Sequence, residues 1–136
     1  HDHRFSAAVV GAPVTNLSTF SGTSDMGIRF GEIEMGGTRE EALAAYREHS
    51  PLTYVYKVQT PVLLLHGEED LRCPLEQSEQ FFVALKRQGK DVELVRFPGE
   101  GHGLTSSGHP RMREEYHARM LAWFERYIGS GVKTAV

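Results

Sequence analysis

The sequence predicts an α/β protein built on three parallel strands with flanking helices. Two observations predict it. Residues 62–65, Val-Leu-Leu-Leu, are a continuous apolar run introduced by Pro61 and stopped at Gly67, the pattern of a strand buried on both faces, as in parallel sheets. A helical stretch over 74–88 then separates this run from a second strand over 92–97, and strands alternating with helices make parallel sheets.

Taken in order, residues 6–10 carry two valines and close on Gly11-Ala12-Pro13, which reads as a strand. No period holds over 14–37, where five glycines fall among Ser, Thr and Asp; the expectation is a long loop with at most a turn of helix. Thr38-Arg39-Glu40-Glu41 has capping-box form and opens a helix to about His49, which Ser50-Pro51 ends. The 74–88 helix sets Phe81, Phe82 and Leu85 on one face and stops at Gly89. Pro98-Gly99 ends the strand at 92–97. Pro110 suits a first helical turn, and Met112, Tyr116, Met120, Trp123, Phe124 and Tyr127 recur at helical intervals as core residues. Residues 129–136 read as a flexible tail after a segment spanning 1–128. Three strands are few for a doubly wound sheet, so the sheet is expected to be incomplete without upstream strands.

Composition narrows the function classes. Fifteen Lys and Arg against eighteen Asp and Glu, scattered along the chain, argue against a nucleic-acid partner. No apolar run is long enough to span a bilayer, so no membrane partner is expected. The one cysteine, Cys73, allows no internal disulfide and suits a reducing, cytoplasmic location; it reads as a small buried group rather than a nucleophile. The histidines show no H-x-x-x-H or H-E-x-x-H spacing, and neither metal nor cofactor is expected. The opening His1-Asp2-His3-Arg4-Phe5 has neither an initiator methionine nor signal-peptide character, so a piece of a longer protein is expected.

The chemistry concentrates in two loops. His66-Gly67-Glu68-Glu69-Asp70-Leu71-Arg72-Cys73-Pro74 follows one strand and Pro98-Gly99-Glu100-Gly101-His102-Gly103 follows the next. Catalytic groups of α/β sheets sit past the C-terminal ends of strands. A right-handed crossover makes these strands neighbours, so the loops can meet. An imidazole can take a proton from a serine and return it to a leaving group, while a buried carboxylate holds its tautomer. Asp70 before His102 is the chain order of acid and base in α/β-hydrolases, and glycines on both sides of His102 suit a tight path. No serine stands in G-x-S-x-G; Gly22-Thr23-Ser24-Asp25-Met26 comes nearest, so the nucleophile is expected upstream. His66 reads as a structural residue at the strand end.

Together, Ser50-Pro51-Leu52-Thr53-Tyr54-Val55, the 62–65 strand, the H-G-x-x-D loop and Gly99-Glu100-Gly101-His102-Gly103 resemble the end of the prolyl oligopeptidase family, nearest its acylaminoacyl-peptidase-like branch. The start, Asp2-His3-Arg4-Phe5-Ser6-Ala7-Ala8-Val9, resembles the stretch after that branch's nucleophile helix, so the likeness covers residues 1 to about 128. It implies the C-terminal portion of an α/β-hydrolase fold in a serine peptidase acting on short or N-blocked peptides. Asp70 would be the triad acid, His102 the base, and Arg72 a binder of a substrate backbone carbonyl. The serine, the oxyanion-hole donors and a substrate-screening β-propeller would lie upstream. Alternatives are a dienelactone-hydrolase-like esterase, which shares H-G-x-x-D and G-x-H-G, and a non-catalytic α/β binding module. The expected partners are a peptide substrate and either the rest of the chain's own catalytic domain or a second copy pairing edge to edge.

Overall fold

In the computed structural model, which describes residues 4–129, the chain runs through β1 (Ala8–Gly11), α1 (Leu17–Thr23), α2 (Gly27–Met35), α3 (Leu43–Glu48) and a 3-10 helix (Pro51–Lys57). It continues through β2 (Val62–Gly67), α4 (Glu76–Arg87), β3 (Val92–Phe97), α5 (Leu104–Ser107) and α6 (Pro110–Ile128). The expected tail, apart from Gly129, lies outside the described residues.

The apolar run makes β2 the centre of a sheet ordered β1-β2-β3, parallel throughout. Successive side chains of a strand point to opposite faces, and here both faces are covered. Leu63 and Leu65 pack with Phe97, Leu104 and Trp123 under the Met112–Tyr116–Met120 stripe of α6. Val62 and Leu64 pack with Leu85 and Val92 under Phe81 and Phe82 of α4. Every residue of β2 is buried. The α/β expectation holds, and β1 has no neighbour on its outer edge among the described residues.

Two expectations are corrected. Residues 14–37 are not a long loop but two short helices, α1 and α2. Their Gly-, Ser- and Thr-rich sequences are poor helix formers, and tertiary packing overrides the propensity. Leu17 and Phe20 bury against Tyr46 of α3. The wholly buried Gln77 of α4 accepts from the backbone N–H groups of Thr15 (2.9 Å) and Asn16 (2.8 Å), fixing the entry to α1. The second correction is the start of α3. The Thr38–Glu41 capping box does form, with Thr38 N–H on Glu41 Oε2 at 3.0 Å and Glu41 N–H on Thr38 Oγ1 at 3.3 Å. It closes an irregular turn, however, and the helix begins only at Leu43.

Candidate active site

Strands β2 and β3 end side by side, with Gly67 opposite Phe97, so the loops that follow leave the sheet at one edge. Two backbone bonds clamp them: Glu68 N–H on the Phe97 carbonyl (3.0 Å) and Glu69 N–H on the Glu100 carbonyl (2.9 Å). Glycine at 67 is required for this approach. A Cβ there would lie 2.7 Å from the Glu100 carbonyl carbon and 3.0 Å from the Gly101 oxygen, both backbone atoms. The tight path expected of the glycines beside His102 belongs instead to Gly99, which has a φ of 74°. The buried Glu100 accepts the His109 N–H at 2.9 Å, tying the histidine loop to the start of α6.

The structure brings Asp70 and His102 together, Oδ2 to Nδ1, at 3.0 Å. Asp70 is buried, and its other oxygen, Oδ1, accepts the backbone N–H groups of Arg72 (2.9 Å) and Cys73 (2.8 Å). A carboxylate only accepts, so His102 Nδ1 carries the proton and Nε2 is left as the unprotonated nitrogen. The His102 side chain is 51% exposed. Beside the pair a cavity of about 240 Å³ opens toward β1, lined by Gly11, Ala12, Gly67, Asp70, His102 and Tyr116 among others. Ala12 is the one described non-glycine residue in the left-handed region, at φ 43°.

Arg72 stands two residues beyond the acid, half exposed, with its Nε and Nη2 on the two oxygens of Asp25 at 2.7 and 3.3 Å. That hydrogen bond holds the Asp25 carboxyl below its usual range. The turn between α1 and α2 seats on the same loop: Asp25 N–H donates to the Leu71 carbonyl (2.9 Å) and Ser24 Oγ to the Arg72 carbonyl (2.7 Å). Asp25 was not legible as a site residue, because 47 positions separate it from Arg72 and no motif links them.

His66 is wholly buried within β2. Its Nε2 lies 2.6 Å from the Cys73 carbonyl and its Nδ1 2.6 Å from Ser78 Oγ in α4. Because a carbonyl only accepts, Nε2 carries the proton and Nδ1 accepts from the serine hydroxyl. Burial pushes His66 below the ordinary imidazole range, which keeps it neutral.

Cys73 is partly buried, and burial pushes its thiol up to about 11, as expected of an inert packing group. Raising the pKa leaves the thiol protonated throughout the physiological range, and the thiolate is the reactive form. Alkylation by iodoacetamide at pH 8 should therefore run about 100-fold slower than for an ordinary cysteine, accelerating only toward pH 11. Mass spectrometry of timed samples checks this; a rate at pH 8 matching that of glutathione would contradict it. Among the described residues no cluster of three or more His, Cys, Asp and Glu side chains could hold a metal ion.

The profile of the prolyl oligopeptidase family matches residues 1–131. The chain belongs to the prolyl oligopeptidase family. The uncharacterized peptidase YuxL of Bacillus subtilis (strain 168) is 42% identical over 126 residues, which are 93% of this chain and 19% of that protein. The uncomplexed acylaminoacyl peptidase of Pyrococcus horikoshii superposes with a TM-score of 0.86 at 34% identity, covering 95% of this chain and 21% of that one. An acylaminoacyl peptidase in complex with Z-Gly-Gly-Phe-chloromethyl ketone gives a TM-score of 0.86 at 35% identity, covering 92% of this chain and 20% of that one. The chain thus spans about a fifth of the length of the prolyl oligopeptidase family proteins it matches. What it shares with the two solved structures is an α/β-hydrolase portion of the fold.

Proposed function

We propose that this chain supplies the acid and the base of a serine-peptidase triad, Asp70 and His102. The nucleophilic serine lies on a segment of the same protein outside these residues. The whole protein hydrolyses peptide bonds in short or N-blocked peptides.

The observation that carries this reading is the 3.0 Å bond from His102 Nδ1 to an Asp70 carboxylate whose other oxygen is already satisfied. Such a pair leaves Nε2 poised to accept the serine proton as Oγ attacks the scissile carbonyl carbon. Asp70 stabilises the resulting imidazolium without itself taking the proton. The proton then passes to the leaving amine, and water repeats the cycle on the acyl-enzyme. Membership in the prolyl oligopeptidase family and the two acylaminoacyl peptidase structures favour a blocked peptide as substrate over the ester of a dienelactone hydrolase. Arg72 fits a carbonyl-binding role. Asp25 occupies its Nε and Nη2, and Nη1 has no partner among the described residues. The outer edge of β1, beside the cavity, is where the next strand of the same catalytic domain, or a second copy, would pair. No described helix is long and apolar enough to cross a membrane.

A fluorophosphonate probe tests the assignment. In the full-length protein it should label a serine within a G-x-S-x-G segment upstream of residue 1. The 136-residue chain alone should neither take the label nor hydrolyse a chromogenic N-blocked peptide anilide. Labelling of Ser24 in the isolated chain would sink the reading. Its Oγ is instead expected to stay on the Arg72 carbonyl.

A further inference from the structure

Asp70 can serve His102 only if its carboxylate is held in one orientation. The two N–H groups on Oδ1 belong to Arg72 and Cys73, residues of the same loop. They fix the carboxylate to the loop without fixing the far half of the loop to the sheet. That second connection runs through His66. Its ring rises from the C-terminal end of the central strand and grips the Cys73 carbonyl with Nε2–H, while the Ser78 hydroxyl of α4 holds Nδ1. Cys73 is thus held at both ends, its carbonyl by His66 and its N–H by Asp70. We infer that His66 is the positioning residue of the triad acid: it locks the 70–73 turn against β2 and α4 so that Asp70 Oδ2 faces His102.

This inference rests on reading Asp70 and His102 as the catalytic pair. Neutrality matters to the device, because His66 Nε2 also lies 3.7 Å from Asp70 Oδ2, the oxygen His102 uses. A doubly protonated ring would set a cation beside that oxygen and compete with the imidazolium that the reaction forms there. Two features oppose this. The Cys73 carbonyl takes the Nε2 proton, and the Ser78 hydroxyl, donating to Nδ1, satisfies that nitrogen in its unprotonated form. Solvent, moreover, does not reach the ring.

The test is kinetic, on the full-length protein, with a chromogenic N-blocked peptide anilide and His102→Ala alongside. His66→Leu removes the grip, and a loosened acid should lower kcat by about 100-fold with KM unchanged. In His66→Gln the amide nitrogen reaches as far from Cβ as Nε2 does, so most of kcat should return. In His66→Asn the amide stops at the reach of Nδ1, so kcat should stay low at a melting temperature matching that of His66→Gln. If His66→Leu does not fold, the Asn and Gln variants decide. Equal kcat in those two, or a loss confined to KM, overturns the inference while an inactive His102→Ala leaves the triad standing. An active His102→Ala removes the triad, and the role of His66 with it.

Discussion

In the full-length protein, His102→Ala should lower kcat by about 10⁵- to 10⁶-fold, leaving KM and the melting temperature nearly unchanged. The size follows from the position of the ring. Nδ1 is committed to Asp70, and Nε2 is the only nitrogen left to take a serine proton. The small effect on stability follows from exposure: the side chain is half in solvent and contributes one hydrogen bond to the fold. Asp70→Asn should cost about 10⁴-fold by a different route. The amide keeps an oxygen for the N–H groups of Arg72 and Cys73 and so presents its NH₂ to His102 Nδ1. That drives the imidazole proton onto Nε2, where a base is needed. The double variant should be no worse than His102→Ala alone, since the two groups act as a unit. Steady-state rates on an N-blocked peptide anilide and calorimetric scans check all three. Residual activity above a tenth of wild type in either single variant would exclude the assignment.

How much of this was legible without coordinates depended on the range of the interaction. The central strand is written locally: Val62 to Leu65 are apolar without alternation, and nothing but burial on both faces accommodates that. Asp70 and His102 are written by position, past the ends of consecutive strands, which the crossover makes neighbours. Helices α1 and α2 are not written locally. They exist because Leu17, Phe20 and Tyr46 bury together and Gln77 gathers the backbone of Thr15 and Asn16 from 62 and 61 residues away. The capping box at Thr38 was legible and real, yet it capped a turn, because its hydrogen bonds are equally good in either. His66 is structural in its bonding, as its place at the strand end predicts. What the sequence could not display is that its partner is the carbonyl of Cys73, whose N–H donates to Asp70.

Gly67→Ala should lower both stability and turnover, and the coupling of the two losses is the point of the experiment. Gly67 closes β2 opposite Phe97, and its Cα faces the backbone of the histidine loop with no room for a methyl group. A side chain could rotate away from an added Cβ, but the atoms met here are the Glu100 carbonyl and the Gly101 oxygen. Relief therefore requires moving one loop away from the other. That strains the Glu69-to-Glu100 bond, which joins the loops near Asp70 and His102. Overpacking of this kind costs about 1–3 kcal/mol, to be read from urea denaturation of the full-length protein. Separation of the loops lengthens the Asp70–His102 bond as well, and a displacement near an ångström costs about 100-fold in rate. Gly101→Ala is the control. Its added Cβ would meet only the Glu69 carbonyl at 3.5 Å, an ordinary contact, so it should fold and turn over much as the wild type does. If Gly67→Ala lost stability but kept full kcat, the approach of the two loops would be a matter of folding alone. Losses in both, absent in Gly101→Ala, would tie the geometry of the acid and base to the missing side chain at position 67.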